Sequence, residues 1–280
     1  MSQAEPLRVV VTNDDGIDSE GLRLLAAAAL RSGCKVLVAA PDHEASGSSA
    51  AMTAVRDDGR IVMERRKLAD LDTVPAYAVR AAPAFIAFTA VREAFGRQPD
   101  FLLSGINLGP NTGQAILHSG TVGAAMTAAS YGVRAAAFSL DVHSGAGKPQ
   151  WETAAAVATR VILALPDLPR GQVLNVNIPN VPQHLLRGIR RGRLAAFGAV
   201  QIDIIEAAED YLQVTMSERE AGPREAGLPE AGPPEAGPRT DSALLAAGYA
   251  SVTPLQPISE TSAPWLPWPA TNGADVLAHP

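Results

Sequence analysis

The 280-residue chain has a single cysteine, Cys34, and aromatic residues make up only 5% of it. One thiol excludes an internal disulfide framework and any multi-cysteine zinc site, and it suits a reducing compartment. No apolar run approaches the roughly 18 residues that a membrane span needs, so no membrane partner is expected. The N-terminus is polar and the first strand begins near Leu7, which leaves no room for a secretory leader. The expected location is therefore cytoplasmic. Positive charge is also scarce: the formal net charge is -6, and the one basic cluster, Arg187, Arg190, Arg191 and Arg193, reads as a solvated face. Binding along a nucleic acid polymer is not expected on that balance.

What is abundant is apolar sequence, at 47%, enough for one large α/β core. The chain is organised around Val9-Val10-Val11-Thr12-Asn13-Asp14-Asp15-Gly16, a β-branched run that stops on two adjacent acids and a glycine. In an open α/β sheet, ligands bind where strands end at their carboxyl side. Two neighbouring aspartates there repel each other and lose water, which favours a bound cation. The same four residues also suit a plain tight turn. The stretch alone leaves both readings open.

Ser19 caps a predicted helix running through the Leu22, Leu24, Leu25 and Leu30 series to Gly33, and Lys35 to Ala40 reads as a second strand. The pair makes a βαβ unit with parallel strands. Its second strand empties into the small, hydroxyl-rich loop Pro41 to Ser49. Arg60 to Glu64 and Ala76 to Val79 read as short strands, and Pro83 opens a helix expected to run through Phe95. Phe101 to Leu103 is a further strand, followed by a glycine- and asparagine-rich loop from Ser104 to Gly113. Ser119-Gly120-Thr121 precedes a small-residue helix from Val122 to Tyr131, gathering hydroxyls and backbone N–H groups into an anion site at a helix start. Ala135 to Leu140, a helix from Thr153 to Leu165, and Val173 to Ile178 continue the alternation.

Beyond Pro179 the organisation changes. Residues 1–182 are read as the catalytic core and 183–260 as a C-terminal segment. Within the latter, 218–239 is a low-complexity insert of Glu-Ala-Gly repeats. Strands on either side of the insert are expected to form an extended, projecting hairpin. Thr240-Asp241 caps a last helix to Ala247, Gly248 to Pro254 returns as a strand, and 261–280 is a tail. The fold class is α/β, a Rossmann-like three-layer sandwich with a mostly parallel sheet and a C-terminal extended hairpin.

Six stretches carry a family resemblance. They are Asn13-Asp14-Asp15-Gly16; Ala40-Pro41-Asp42 with Ser46-Gly47; Ser104-Gly105-Ile106-Asn107 with Gly109-Pro110-Asn111; Ser119-Gly120-Thr121-Val122; Leu174 to Pro179; and Gly248-Tyr249 to Thr253-Pro254. In this order the chain resembles the SurE family, the survival-protein nucleotidases, which are divalent-metal phosphatases acting on nucleoside monophosphates. The resemblance implies one divalent cation per subunit, Mg²⁺ or Mn²⁺, held by Asp14, Asp15, Ser46 and Asn107. Such an all-oxygen set suits those hard ions. Zinc would favour nitrogen or sulfur ligands, and the nearby His43 and His118 read as surface or outlying residues. The resemblance also points to a homodimer or homotetramer built through the C-terminal hairpin.

The expected reaction is hydrolysis of a nucleoside monophosphate to nucleoside and phosphate, a 5′-nucleotidase activity. Asn111 and Ser119, Gly120 and Thr121 hold the phosphate, and Asp14 orients or deprotonates the attacking water. One departure stands out: where the family usually carries Gly-Thr-Pro-Ala-Asp-Cys, this chain has Ala81-Ala82-Pro83-Ala84-Phe85-Ile86. A hydroxyl and a carboxylate are gone, which leaves an alternative reading as a catalytically weak, metal-dependent nucleotide-binding or assembly protein. A haloacid-dehalogenase-like phosphatase needs a second Asp where Gly16 stands. A nicotinamide dehydrogenase needs a glycine fingerprint that the first strand-helix turn lacks.

Overall fold

The computed structural model describes residues 5–142, 147–196, 200–207, 212–218 and 239–260. The opening unit forms as expected: β1 (Arg8–Thr12), α1 (Glu20–Arg31) and β2 (Lys35–Pro41), with β1 and β2 parallel. Ser19 caps α1 by accepting from the Leu22 N–H. Along β1 the pleat sends Val9 and Val11 into one apolar cluster and Val10 into another, so both faces of the strand are buried.

Asp58 and Gly59 adopt positive φ, 47° and 75°, and close a tight hairpin between β3 (Arg56–Asp57) and β4 (Arg60–Ile61). The expected strand from Arg60 to Glu64 is therefore split. Its second part belongs to β5 (Met63–Arg66), which pairs antiparallel with β6 (Ala76–Val79) at the sheet edge. The Asp-Gly pair is a known hairpin signal.

α2 (Pro83–Val91) stops four residues short of the expected Phe95. Glu93 turns into the left-handed region at φ 67°, which releases Phe95 to pack on Tyr77 with ring centroids 5.8 Å apart. β7 (Phe101–Leu108) runs five residues past its expected end. Gly105, read as a turn former, instead permits close strand approach: a Cβ there would lie 2.3 Å from the Phe138 carbonyl oxygen.

A 3₁₀ turn (Gly113–His118) leads into α3 (Gly120–Ser130) and β8 (Arg134–Asp141). α4 (Trp151–Ala164), β9 (Val173–Pro179) and β10 (Ile189–Arg191) follow. The main sheet has nine strands in the order β10-β13-β9-β8-β7-β1-β2-β6-β5, where β13 (Ala250–Leu255) runs antiparallel to β9. From β6 to β9 all neighbours are parallel. α1 and α4 cover one face of this sheet, α2 and α3 the other, giving three layers.

A hairpin is present, but not where it was expected. β11 (Val200–Ala207) and β12 (Leu212–Glu218) pair with each other as a separate two-stranded sheet, both ahead of the repeats rather than flanking them. The repeats lie, apart from Glu218 and Arg239, outside the described residues, as does the 261–280 tail. α5 (Asp241–Ala246) begins at the expected Thr240 cap. Among the described residues no helix is long and apolar enough to cross a membrane. Cys34 is buried, and burial pushes its thiol pKa up. In the basic cluster, Arg190 and Arg187 lie over the Tyr249 ring at 4.0 and 4.7 Å.

Candidate active site

Three chain segments meet beyond the carboxyl ends of β1, β2 and β7. The turn after β1 is held by Asn13, whose amide donates to the Gly16 carbonyl at 2.9 Å and to the Ser19 hydroxyl at 2.7 Å. The loop after β2 is tethered to it, since the Ala45 N–H donates to the Asp14 carbonyl at 2.7 Å and Ile17 N–H to the Pro41 carbonyl at 2.8 Å. The Leu108 N–H at the end of β7 faces the Asp15 carboxylate and lowers its pKa against the burial that raises it.

Asp14 is 4% exposed and sits against the first turn of α3. Thr121 donates to it twice, from its hydroxyl and from its N–H, the latter at 3.1 Å. Burial is the largest influence and raises the Asp14 pKa, against the Thr121 bonds that lower it, while the Glu44 charge adds to the rise. Asp15 is pushed up to about 6 by burial first, then by the Asp14 charge, and Glu44 contributes again. Among the described residues no cationic side chain offsets either acid. Arg80 bonds Asp42 at 3.2 Å, and the His43 ring nitrogen lies 2.5 Å from the same carboxylate.

A cation would relieve this field, and the donors present suit a hard one. Among the described residues no three His, Cys, Asp or Glu side chains converge as a metal-binding group. A cation here would draw on two carboxylates supplemented by neutral oxygens, a donor set that suits a hard divalent ion. Asn107 donates its amide nitrogen to the Gly109 carbonyl at 2.8 Å, leaving its side-chain oxygen available. The buried side-chain oxygen of Asn13 has no hydrogen-bond partner. Ser46 is exposed, and its hydroxyl donates to Glu44 at 2.8 Å rather than facing the aspartates directly.

The expected phosphate residues are more engaged than foreseen. The Ser119 hydroxyl caps Val122 at 3.1 Å and Thr121 serves Asp14, so the start of α3 does not present a full set of free donors. The Gly120 N–H remains unbonded. Asn111 lies further along the edge, its amide nitrogen on the Ser139 hydroxyl at 2.8 Å. Its backbone is fixed by Asn177, which accepts from the Asn111 N–H, and by Asn175 and Asn177, which donate to its carbonyl, all at 2.8 Å. His43 and His118 are both exposed.

Four contributors carried no assigned role in the sequence. Glu44 supplies charge to both aspartates. Asp241, read only as part of a cap, is fully buried and accepts from the Gly113, Ala195 and Ser242 N–H groups at 2.9, 3.0 and 2.9 Å. It thereby anchors the loop that carries Asn111 from 128 residues away. Asn175 and Asn177 were visible as a signal: polar residues two apart inside an apolar strand face the same side. A groove of about 890 Å³ between α1 and α4, lined in part by Leu24, Trp151 and Leu186, contains none of these residues. The chemistry, not this groove, marks the site.

The family model described as Survival protein SurE matches residues 9–199. The chain is 36% identical over 252 residues to the 5′/3′-nucleotidase SurE of Edwardsiella ictaluri, covering 89% of this chain and 90% of that one. It is 36% identical over 263 residues to the 5′-nucleotidase SurE of Vibrio vulnificus, covering 91% of each. Among solved structures, the SurE protein from Aquifex aeolicus superposes with a TM-score of 0.69 at 28% identity, over 89% of this chain and 93% of that one.

Proposed function

The chain belongs to the SurE family, and from that premise we propose that it is a metal-dependent phosphomonoesterase that hydrolyses nucleoside monophosphates to nucleoside and phosphate. The observation that carries this reading is the buried Asp14-Asp15 pair, burdened further by Glu44 and, among the described residues, offset by no cationic side chain, placed against the start of α3. Such a pair is built for a cation, and a helix start beside it favours an anion.

The cation is one Mg²⁺ or Mn²⁺ per subunit, with Asp14, Asp15, Asn107 and Ser46 as the residues that would hold it. When bound it supplies neutralisation of phosphoryl charge and a water of lowered pKa. The Gly120 N–H and the α3 dipole stabilise negative charge on the phosphoryl oxygens. Asn111 joins them by exchanging its Ser139 bond for a phosphoryl oxygen, a like-for-like replacement with little net cost. Asp14, locked by two bonds from Thr121, orients the attacking water. The enzyme acts in the cytoplasm as a homodimer or homotetramer assembled through the 200–218 hairpin.

A second reading rests on the departure at α2. Ala82 starts that helix with no side-chain cap, and Phe85 packs in an apolar cluster where the family carries a carboxylate. On that basis the chain would bind nucleotide with little turnover. Phosphate release from a panel of nucleoside monophosphates with Mg²⁺ or Mn²⁺, measured against Asp14→Asn, separates the two. Background rates in both proteins favour the binding protein. Equal rates well above background remove Asp14 from the site.

A further inference from the structure

β9 buries two amides in a strand that is otherwise Val, Leu, Ile and Pro: Asn175 and Asn177 are both 0% exposed. A buried amide is unfavourable unless its polar atoms are met, so the bonds these two make point to their role. Both serve one residue. The Asn177 side chain accepts from the Asn111 N–H and donates to the Asn111 carbonyl, and Asn175 donates to that same carbonyl, all at 2.8 Å.

An N–H only donates and a carbonyl only accepts, so the two ends of the Asn177 amide are fixed by their partners. Asn111 lies beyond the end of β7 and belongs to no strand. Here one side chain supplies the paired exchange by which a neighbouring strand would hold a residue. On either side the segment is pinned again, by Gly109 N–H on the Leu140 carbonyl and by Gly113 N–H on Asp241, both at 2.9 Å.

The same strands set where Asn111 stands relative to Asn107. The pairing of β7 with β8 shifts between Ser104 and Asn107, so that Asn107 rather than Ile106 aligns with Ser139, and Ser139 in turn aligns with Asn177 on β9. Asn107, Ser139 and Asn177 thus form one row across three neighbouring strands, spaced about 4.8 Å apart. The Ser139 hydroxyl accepts from the Asn111 side chain at 2.8 Å. Two members of the row therefore hold residue 111, one by its side chain and one by its backbone, and the third is a residue that would hold the cation.

We infer that Asn177 is a positioning residue: by clamping the Asn111 backbone it sets the Asn111 side chain at the distance from Asn107 that lets one phosphate meet both the cation and Asn111. The inference rests on the phosphomonoesterase reading above and gives Asn177 no contact with substrate.

The test is a double-mutant cycle in the full chain loaded with Mn²⁺, read as kcat/KM on a nucleoside monophosphate and as the calorimetric Kd of inorganic phosphate. Asn177→Ala is expected to lower kcat/KM at least tenfold and to weaken phosphate about as much, because a small misplacement of a substrate-holding group is costly to rate. In an Asn111→Ala background the same change should alter both quantities by less than twofold, since the side chain that Asn177 positions is already gone. The Mn²⁺ Kd should stay within twofold throughout. Asn177→Thr, which suits a strand but offers one hydroxyl to two partners, carries the same cycle where Asn177→Ala does not fold. Losses of equal size in both backgrounds show a merely structural role and overturn the inference. So does a kcat/KM that stays within twofold of the parent, or a tenfold weaker Mn²⁺. If the parent releases no phosphate, the phosphomonoesterase reading fails before any variant is compared; if it does and Asn111→Ala matches it, only the placement of Asn111 falls, and Asn177 with it.

Discussion

Replacing Asp15 by Asn should stabilise the metal-free protein while destroying its grip on the cation. Asp15 has an ordinary value of 3.8 and is pushed up to about 6, chiefly by burial and by the Asp14 charge. A raised carboxyl means that the folded state binds the proton more tightly than the unfolded one. Stability is therefore full below pH 3.8, falls as pH rises, and levels out above about 6. At 1.36 kcal/mol per pH unit that interval corresponds to about 3 kcal/mol, and solvent screening of the partly exposed side chain lowers it to about 1–2 kcal/mol. Asn keeps an oxygen for the Leu108 N–H and removes the charge. In chelator, thermal unfolding of Asp15→Asn should thus exceed the parent by about 2–8 °C at pH 7.5, at about 2–4 °C per kcal/mol, and match it at pH 4. Added Mn²⁺ should raise Tm of the parent at pH 7.5 and leave the variant unmoved. A variant less stable than the parent at pH 7.5, or a gap that does not change with pH, would refute the claim that this acid pair is strained without a cation.

Three other substitutions probe the parts around it. Ala82 has the extended backbone of an N-cap, φ −64° and ψ 151°, with no side-chain bond to α2, so Ala82→Ser should add about 1 kcal/mol, read as a higher midpoint in urea. Asp241→Asn faces three N–H donors with one oxygen instead of two and should lose about 1–3 kcal/mol. Because Asp241 anchors Gly113, kcat/KM should fall with it, whereas an unchanged kcat/KM in a destabilised variant would show that Asn111 does not depend on this anchor. Gly123→Ala places a methyl 2.2 Å from the Ser49 carbonyl oxygen and must push the 48–50 loop away from α3, read as a lower midpoint in urea.

Much of the architecture was legible because it rests on local patterns. The alternation of β-branched runs with Leu- and Ala-rich helical stretches located β1, α1, β2, β6, β8, α4 and β9 within a few residues. Two of the differences turn on glycine. At Asp58-Gly59 a glycine signalled a turn that was overlooked, and at Gly105 a glycine suggested a turn where a strand continues. A glycine needed for positive φ and a glycine needed because a neighbouring carbonyl sits 2.3 Å from its missing Cβ look identical in sequence. α2 ended early for a comparable reason, since the aromatic packing of Phe95 on Tyr77 competes with continuing the helix.

The sequence by itself determined that this is an α/β protein with acids and hydroxyls at its strand ends, because strand and helix periods and the Asn-Asp-Asp-Gly stop are local properties of the chain. It did not determine how those groups are shared out. Only the tertiary structure decided that Thr121 serves Asp14, that Glu44 adds its charge to both aspartates, and that Asp241 reaches across 128 residues to hold Gly113. Hydrogen-bond partners and burial depend on which segments meet in space. That position 120 must be glycine is likewise decided by the fold, since the Ser48 and Asp14 side-chain oxygens lie 2.6 and 2.8 Å from where its Cβ would be.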